Sequence, residues 1–264
     1  MKLVSWNVNG IRAVLRKEAL QPVFDQLKPD VLCLQETKAQ PDQIELDIPG
    51  FNLVVNSAEK KGYSGTAILS REKPLQTINN LPEKLADKYK IEDDGYGDPN
   101  TEGRVLAAEF SDFWVATVYT PNSKDDLTRI PLRQKWDPAF AEFISSLSGD
   151  KPVYANGDFN VAHKPIDLAR PKENKGKKGF TEEERTGFDG ILDKGFIDTF
   201  RTLHPDTIDA YSWWSHWGKA RERNVGWRID YWLASEIKAS DLKKAEIHPE
   251  LIGSDHCPVS IELP

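Results

Sequence analysis

Val31-Leu32-Cys33-Leu34-Gln35-Glu36 sets the terms for the chain, because four consecutive apolar residues lead straight into an amide and a carboxylate. Alternate residues of a strand face opposite ways, so an unbroken apolar run belongs to an interior strand covered on both sides. Comparable runs recur at 2–8, 52–56, 65–70, 105–110, 113–120, 152–157, 230–235 and 258–263. They are rich in Val, Ile, Phe, Tyr and Trp, and turn residues bound many of them, so each is read as a strand.

Helical patterns lie between these runs. Leu20, Val23, Phe24 and Leu27 share one face, and Pro29-Asp30 ends that helix. Leu132, Trp136, Phe140, Phe143, Ile144 and Leu147 form a second stripe ending near Gly149, in which Pro138 predicts a break or a fresh start. Thr181-Glu182-Glu183-Glu184 fits a capping box, with Phe188, Ile191 and Leu192 as the buried face and Gly195 as the stop. No internal period of 20–50 residues and no compositional shift marks a linker. The expectation is one α/β domain over residues 1–264, with two sheets covered by helices.

Composition narrows the function classes. The 264 residues are 39% apolar and 29% charged, enough core-forming material to argue against a disordered chain. No apolar run is long enough for a membrane span, and the N-terminus lacks a signal-peptide pattern. Two cysteines, Cys33 and Cys257, suit a reducing cytoplasm, the expected location. A net charge of −7 argues against a nonspecific nucleic-acid coat but leaves room for one basic face. Residues 164–178 carry a net +4, and residues 213–232 hold five of the eight Trp interleaved with Lys219, Arg221, Arg223 and Arg228. Taken singly, a basic run is a solvated loop and clustered Trp are core. Together they suit a surface that grips phosphates and meets an unstacked sugar or base.

The chemistry lies where strands end. Asn7 and Asn9, Gln35 and Glu36, Tyr119 and Asn122, Asp158 and Asn160, Asp230, and Asp255-His256 place carboxylates, amides, a phenol and an imidazole at separate strand ends. Taken singly, Glu36 fits a solvated strand end or a cap, Gly157-Asp158 a plain turn, and His256 a structural imidazole. Their joint occurrence marks a site, since ligands in α/β folds bind at such ends. Hard oxygen ligands favour Mg²⁺ or Mn²⁺ over zinc, and no P-loop is present. Ser254-Asp255-His256 is no serine-hydrolase triad, because neighbours on an extended chain face opposite ways. The pattern suits hydrolysis at a phosphate.

At these residues the sequence resembles the exonuclease III family of AP endonucleases, within the endonuclease/exonuclease/phosphatase superfamily. The matching stretches run in order from Ser5-Trp6-Asn7-Val8-Asn9-Gly10 through Leu34-Gln35-Glu36-Thr37-Lys38, Lys61-Gly62-Tyr63-Ser64-Gly65, Glu102-Gly103-Arg104 and Tyr119-Thr120-Pro121-Asn122. They continue through Gly157–His163 and Gly226–Tyr231 to Gly253-Ser254-Asp255-His256-Cys257-Pro258. The resemblance implies a four-layered α/β sandwich, two packed mixed β-sheets flanked by helices, with a metal at the mouth between the sheets. It implies Mg²⁺, replaceable by Mn²⁺, held by Glu36 with Asn9 and Asp255 in or near its coordination sphere.

It further implies that Asp158 orients or deprotonates the attacking water and that His256, held by Asp230, contacts the scissile phosphate. Asn7, Tyr119 and Asn160 donate to phosphate oxygens or water, with Asn122 supporting them; whether Asp158 or Tyr119 is the base stays open. The implied partner is double-stranded DNA containing abasic sites, met by a monomer through Arg12, Tyr63, Asn122, Arg170, Asn174 and Lys177. Trp213, Trp227 and Ile229 form an apolar pocket beside a Trp217 wedge. The chain departs from animal relatives at Asn9, Arg170 and Lys177, and carries Asp125 where an inserted Arg is expected. Two other readings stay open: a phosphatase or sphingomyelinase-like hydrolase of the same superfamily, and a catalytically silent DNA-binding relative.

Overall fold

The computed structural model describes residues 1–149, 151–235, 237 and 239–264. Its strands are β1 (Lys2–Asn7), β2 (Val31–Gln35), β3 (Asn52–Asn56), β4 (Thr66–Ser70), β5 (Gln76–Asn79), β6 (Val105–Glu109) and β7 (Trp114–Tyr119). They continue with β8 (Val153–Asp158), β9 (Phe196–Asp198), β10 (Trp213–Trp214), β11 (Gly226–Trp227), β12 (Asp230–Ser235), β13 (Lys244–Ile247) and β14 (Val259–Glu262). The helices are α1 (Ile11–Arg16), α2 (Gln21–Leu27), α3 (Glu83–Tyr89), α4 (Ile130–Leu147), α5 (Pro171–Asn174), α6 (Glu182–Leu192) and α7 (Thr199–Leu203).

Two six-stranded mixed sheets result, in the orders β13-β14-β1-β2-β4-β3 and β5-β6-β7-β8-β12-β9, with β10 and β11 as a separate hairpin. The parity of the apolar strands explains the layering. Leu3, Cys33, Leu106, Val115 and Trp232 point into the seam between the sheets. Val4, Leu32 and Leu34 point outward onto α1 and α2, and Val105, Ala107 and Val118 point outward onto α3, α4 and α6. Both sheets are buried on both sides, giving a helix–sheet–sheet–helix sandwich as expected. The seam is polar near the mouth, where Gln35 Nε2 donates to Ser5 Oγ (3.0 Å) and to Thr117 Oγ1 (2.7 Å) of the opposite sheet.

One helix corrects the sequence reading. Pro138 neither breaks nor restarts α4, which runs unbroken from Ile130 to Leu147. The proline removes one N–H, but the carbonyl it frees belongs to exposed Gln134, where water can reach it. Buried Arg133 and Asp137 pair at 3.0 Å one turn apart just before the proline, while Trp136, Phe140 and Phe143 continue the core stripe through it. The capping box stands as read, with Thr181 accepting from the Glu184 N–H at the start of α6.

A buried ion network fastens the basic loop to the second sheet. Arg228 Nε donates to Asp167 Oδ1 (2.9 Å), Arg228 Nη2 to Asp198 Oδ2 (2.7 Å), and Arg201 Nη2 to Asp167 Oδ1 (2.7 Å). Burial works to raise the Asp167 carboxyl; the two guanidiniums outweigh it and hold it below the ordinary carboxylate range. Its stabilising effect is therefore complete above the unfolded pKa of about 3.9 and fades as pH falls through the lower folded value. Asp167→Asn leaves Arg228 partly unpaired and is expected to lower unfolding free energy by about 3–5 kcal/mol in urea denaturation at pH 7. A loss under about 1 kcal/mol would show that the network is not what holds the loop.

Candidate active site and adjoining cavity

Register delivers the polar strand ends to one place. The parallel pair β1–β2 sets Asn7 opposite Gln35, directly before Glu36, and the parallel pair β7–β8 sets Tyr119 opposite Asp158. Antiparallel β12 places Asp230 opposite Asp158. The C-terminal ends of two parallel pairs, one from each sheet, thus converge at a common mouth. Gly157 is required there: with φ 136°, any Cβ would run into the Val118 carbonyl. Glu36 and Asn160 (both φ 50°) and Asn9 (φ 44°) adopt left-handed backbone, which turns each polar side chain off its strand. β1 ends at Asn7, one residue short of the 2–8 run, and the two amides meet through the turn that follows, with Asn9 N–H donating to Asn7 Oδ1 (3.0 Å).

Asn7 Nδ2 donates to both Glu36 Oε1 (3.0 Å) and Asp158 Oδ2 (2.9 Å), bridging the two sheets. The second Glu36 oxygen pairs with Lys38 Nζ (2.8 Å), and the same ammonium reaches Asn9 Oδ1. Asn9 Nδ2 donates to Asp255 Oδ1 (2.9 Å), and Trp213 Nε1 to Asp255 Oδ2 (3.1 Å). His256 Nδ1 bonds Asp230 Oδ2 (2.8 Å), which also accepts from Ser212 Oγ (2.6 Å), while His256 Nε2 lies 3.8 Å from Asp158 Oδ2. Asp158 Oδ1 accepts from the Asn160 N–H (2.8 Å). Glu36, Asp158 and His256 can each offer one atom to a shared metal, all within 4.8 Å of one another.

Electrostatics separates these groups. Burial dominates at Asp158; His256 opposes it, Asp230 and Glu36 reinforce it, and its carboxyl is raised to about 7. Burial alone would lower His256, but the Asp230 charge and hydrogen bond raise it to about 10. Burial and the nearby Glu36 push the Tyr119 phenol well above 10. Burial works against ionised Asp255, but His256 and the donors Asn9 and Trp213 hold it below the usual range.

Above this cluster opens a cavity of about 500 Å³. Glu36, Tyr119, Asp158, Asn160, Asp255 and His256 form its chemical end, and Trp213, Trp227 and Ile229 form an apolar wall. Arg170, Asn174 and Asn122 lie on the rim, and Trp217 stands 85% exposed beside them. Trp213 and Trp227 meet edge-on with centroids 6.4 Å apart, both half-buried on a small cluster with Phe180 and Leu168. Asn7 and Asp230 are buried behind the cavity lining, Asn9 lines an adjoining groove beside Asp255, and Arg12, Tyr63 and Lys177 do not line the cavity.

The basic–aromatic region 213–232 divides more sharply than the sequence implied. Arg228 is buried in its ion network, and Arg221 donates to the Ser254, Pro249 and Leu251 carbonyls, so neither faces a phosphate. Arg223 lines the cavity, while Trp214 and Trp232 are core. Sequence reasoning gave no role to Lys38, Ser212 or the Glu102–Arg104 pair. Arg104 Nε meets Glu102 Oε2 at 2.5 Å, and its Nη groups donate to the Tyr119 carbonyl and the Tyr63 hydroxyl (both 3.0 Å), tying Tyr63 to the site from behind. It also favoured Lys177 over Lys178, which is the lysine that lines the cavity.

Comparison with known proteins agrees with this architecture. The model of the endonuclease/exonuclease/phosphatase family matches residues 4–256. An exodeoxyribonuclease of Bacillus subtilis (strain 168) is 45% identical over 261 residues, 99% of this chain and 98% of the relative. The DNA repair nuclease APEX1 of Danio rerio is 41% identical over 268 residues, 100% of this chain and 82% of that protein. The solved structure of a 3′ phosphatase from Neisseria bound to a product DNA hairpin matches with a TM-score of 0.82 at 29% identity, covering 100% of this chain and 99% of that one. The chain belongs to the endonuclease/exonuclease/phosphatase family. Within that family it is a hydrolase of the AP endonuclease/exonuclease III type. Among the described residues, no helix is long and apolar enough to cross a membrane.

Proposed function

We propose that residues 1–264 act as a single-domain, monomeric, cytoplasmic enzyme that hydrolyses the phosphodiester 5′ to abasic sites in double-stranded DNA. The products are 3′-hydroxyl and 5′-deoxyribose phosphate ends, and the same site trims 3′ ends. One observation carries the reading: a single cavity joins the Glu36–Asp158–His256 cluster to the Trp213–Trp227–Ile229 wall. An inositol-phosphate phosphatase or a sphingomyelinase-like lipid hydrolase has no use for that wall beside a basic loop. A catalytically silent relative has no reason to keep the Asp158 carboxyl buried at the cost that burial imposes on its charged form.

The donor set fits a hard divalent cation. Glu36 and Asn9 already hold one cationic group between them, the Lys38 ammonium, through oxygens alone. Glu36, with Asn9 and Asp255 at its edge, would hold Mg²⁺ or Mn²⁺, which supplies Lewis-acid stabilisation of charge on the phosphate oxygens. The remaining work falls to the chain. Asp158, titrating near neutrality, takes the proton of the attacking water. His256 spends Nδ1 on Asp230, so charged Nε2 is the donor left for a phosphate oxygen. Tyr119, held as a neutral phenol, is a donor, which favours Asp158 as the base. Asn7 and Asn160 fix the Asp158 carboxylate.

Incubating a duplex carrying one abasic analogue with Mg²⁺ should give a single incision on its 5′ side, and EDTA should abolish it. Incision of intact duplex at the same rate would refute the abasic reading. Glu36→Ala removes one of few charged ligands and is expected to raise sharply the Mg²⁺ needed for half-maximal cleavage. An unchanged Mg²⁺ titration would take Glu36 out of the metal site.

A further inference from the structure

Lys178 lines the cavity, and its Nζ meets Asp125 Oδ1 at 2.5 Å. The pair joins two loops across the mouth. One is the turn 122–128, whose Asn122 also faces the cavity; the other is the basic loop, which leads directly into Gly179. Gly179 packs on the pocket wall, so closely that a Cβ would lie 3.2 Å from the Trp227 ring. Lys178 therefore stands one residue from the wall.

The turn holds Asp125 outward. Asp126 accepts from the Thr128 N–H (3.2 Å) and Oγ1 (2.8 Å), and Lys124 adopts φ 66°, leaving the Asp125 side chain 92% exposed against Lys178. The other paired cation on the rim differs: Arg170 meets Glu173 at 3.7 Å three residues along the same segment, so that pair spans nothing.

An exposed ion pair is weak, salt-screened and readily exchanged. A phosphodiester carries the same single negative charge as a carboxylate, and it arrives with the DNA strand at the ammonium's position. We propose that Asp125 is an internal counter-ion for Lys178, holding the ammonium at the rim in the free enzyme and giving way to a phosphodiester of the bound strand. Lys178 is thus a phosphate-binding residue, and Asp125 tempers the affinity of the site for DNA. This rests on the DNA-cleaving reading above.

The test is fluorescence anisotropy of a duplex carrying one tetrahydrofuran abasic analogue, in EDTA, over about 50 to 200 mM KCl. The chain is compared with D125N, K178A and D125N/K178A. Asp125→Asn should tighten binding about two- to fivefold at the lowest salt, the range of an exposed pair. Lys178→Ala should weaken binding and flatten the slope of log affinity against log salt by at most about 0.9. The double variant should bind like K178A. Equal tightening by D125N with and without Lys178 would show a general charge effect and overturn the inference, as would an unaltered slope in K178A. If the unaltered chain binds abasic duplex no better than it binds an unrelated polyanion, the DNA reading falls and takes the inference with it.

Discussion

Asp158→Asn is expected to lower the cleavage rate by about 10²–10⁴, or roughly 2.7–5.4 kcal/mol of barrier, in single-turnover assays with Mg²⁺. The substitution keeps the shape of a side chain wedged between the Asn7 amide (2.9 Å) and the Asn160 N–H (2.8 Å) while removing the proton acceptor. Stability should move the other way or stay put. Burial is the main influence raising this carboxyl above its unfolded value, so at neutral pH its charged form weakens the metal-free fold; the neutral amide relieves that, offset by the loss of one of the two hydrogen bonds that the carboxylate accepts. Binding of abasic duplex in EDTA should survive, since a carboxylate facing a phosphate is gone. Cleavage within a few-fold of the unaltered enzyme would rule Asp158 out as the base. Tyr119→Phe, which removes a donor and no base, should cost less than Asp158→Asn.

These assignments were partly legible before any coordinates. A strand buried on both faces must be apolar throughout, so β1, β2, β7, β8 and β12 announce themselves by continuous runs, and their polar ends mark the mouth by contrast. Strands that lack two buried faces carry no such signal. β5 is almost wholly exposed, β13 is an edge strand, and β10 and β11 are two residues each. The sequence likewise shows which carboxylates end strands but not which cations are buried with them. Nothing in the sequence marks Arg104, Arg133 or Arg228 as buried, yet each is at most 2% exposed and paired to a carboxylate. Only the Arg228 pairs join distant segments; Arg104 meets Glu102 two residues away and Arg133 meets Asp137 one turn away, so at those two it is the burial, and not the pairing, that local spacing leaves hidden. Lys38 escaped for a related reason: it lies two residues beyond Glu36, but only the left-handed turns at Glu36 and Lys38 itself bring its ammonium back to the carboxylate.

Recognition of a missing base is expected to fail selectively in Trp227→Ala. An abasic sugar is small and can be turned out of the helix at less cost than an intact nucleotide, so a tight apolar wall can admit one and exclude the other. Trp227 is placed to do this: it lines the cavity with Trp213 and Ile229, its ring held edge-on by Trp213 at 6.4 Å and by Phe180 at 6.5 Å. Removing it opens the wall to a volume a base can enter, so the ratio of abasic to intact cleavage should fall chiefly through faster cutting at intact sites. The competing account makes Trp227 a core residue, for which truncation costs about 3–5 kcal/mol and leaves the ratio unchanged. Trp227 is only half-buried and packs on a small cluster apart from the main sheet cores. Its loss should therefore cost well below about 3 kcal/mol in urea denaturation. Stability and cleavage ratio measured on this one variant separate the accounts: a large stability loss with an unaltered ratio would return Trp227 to the core and leave lesion recognition to the backbone path of the DNA.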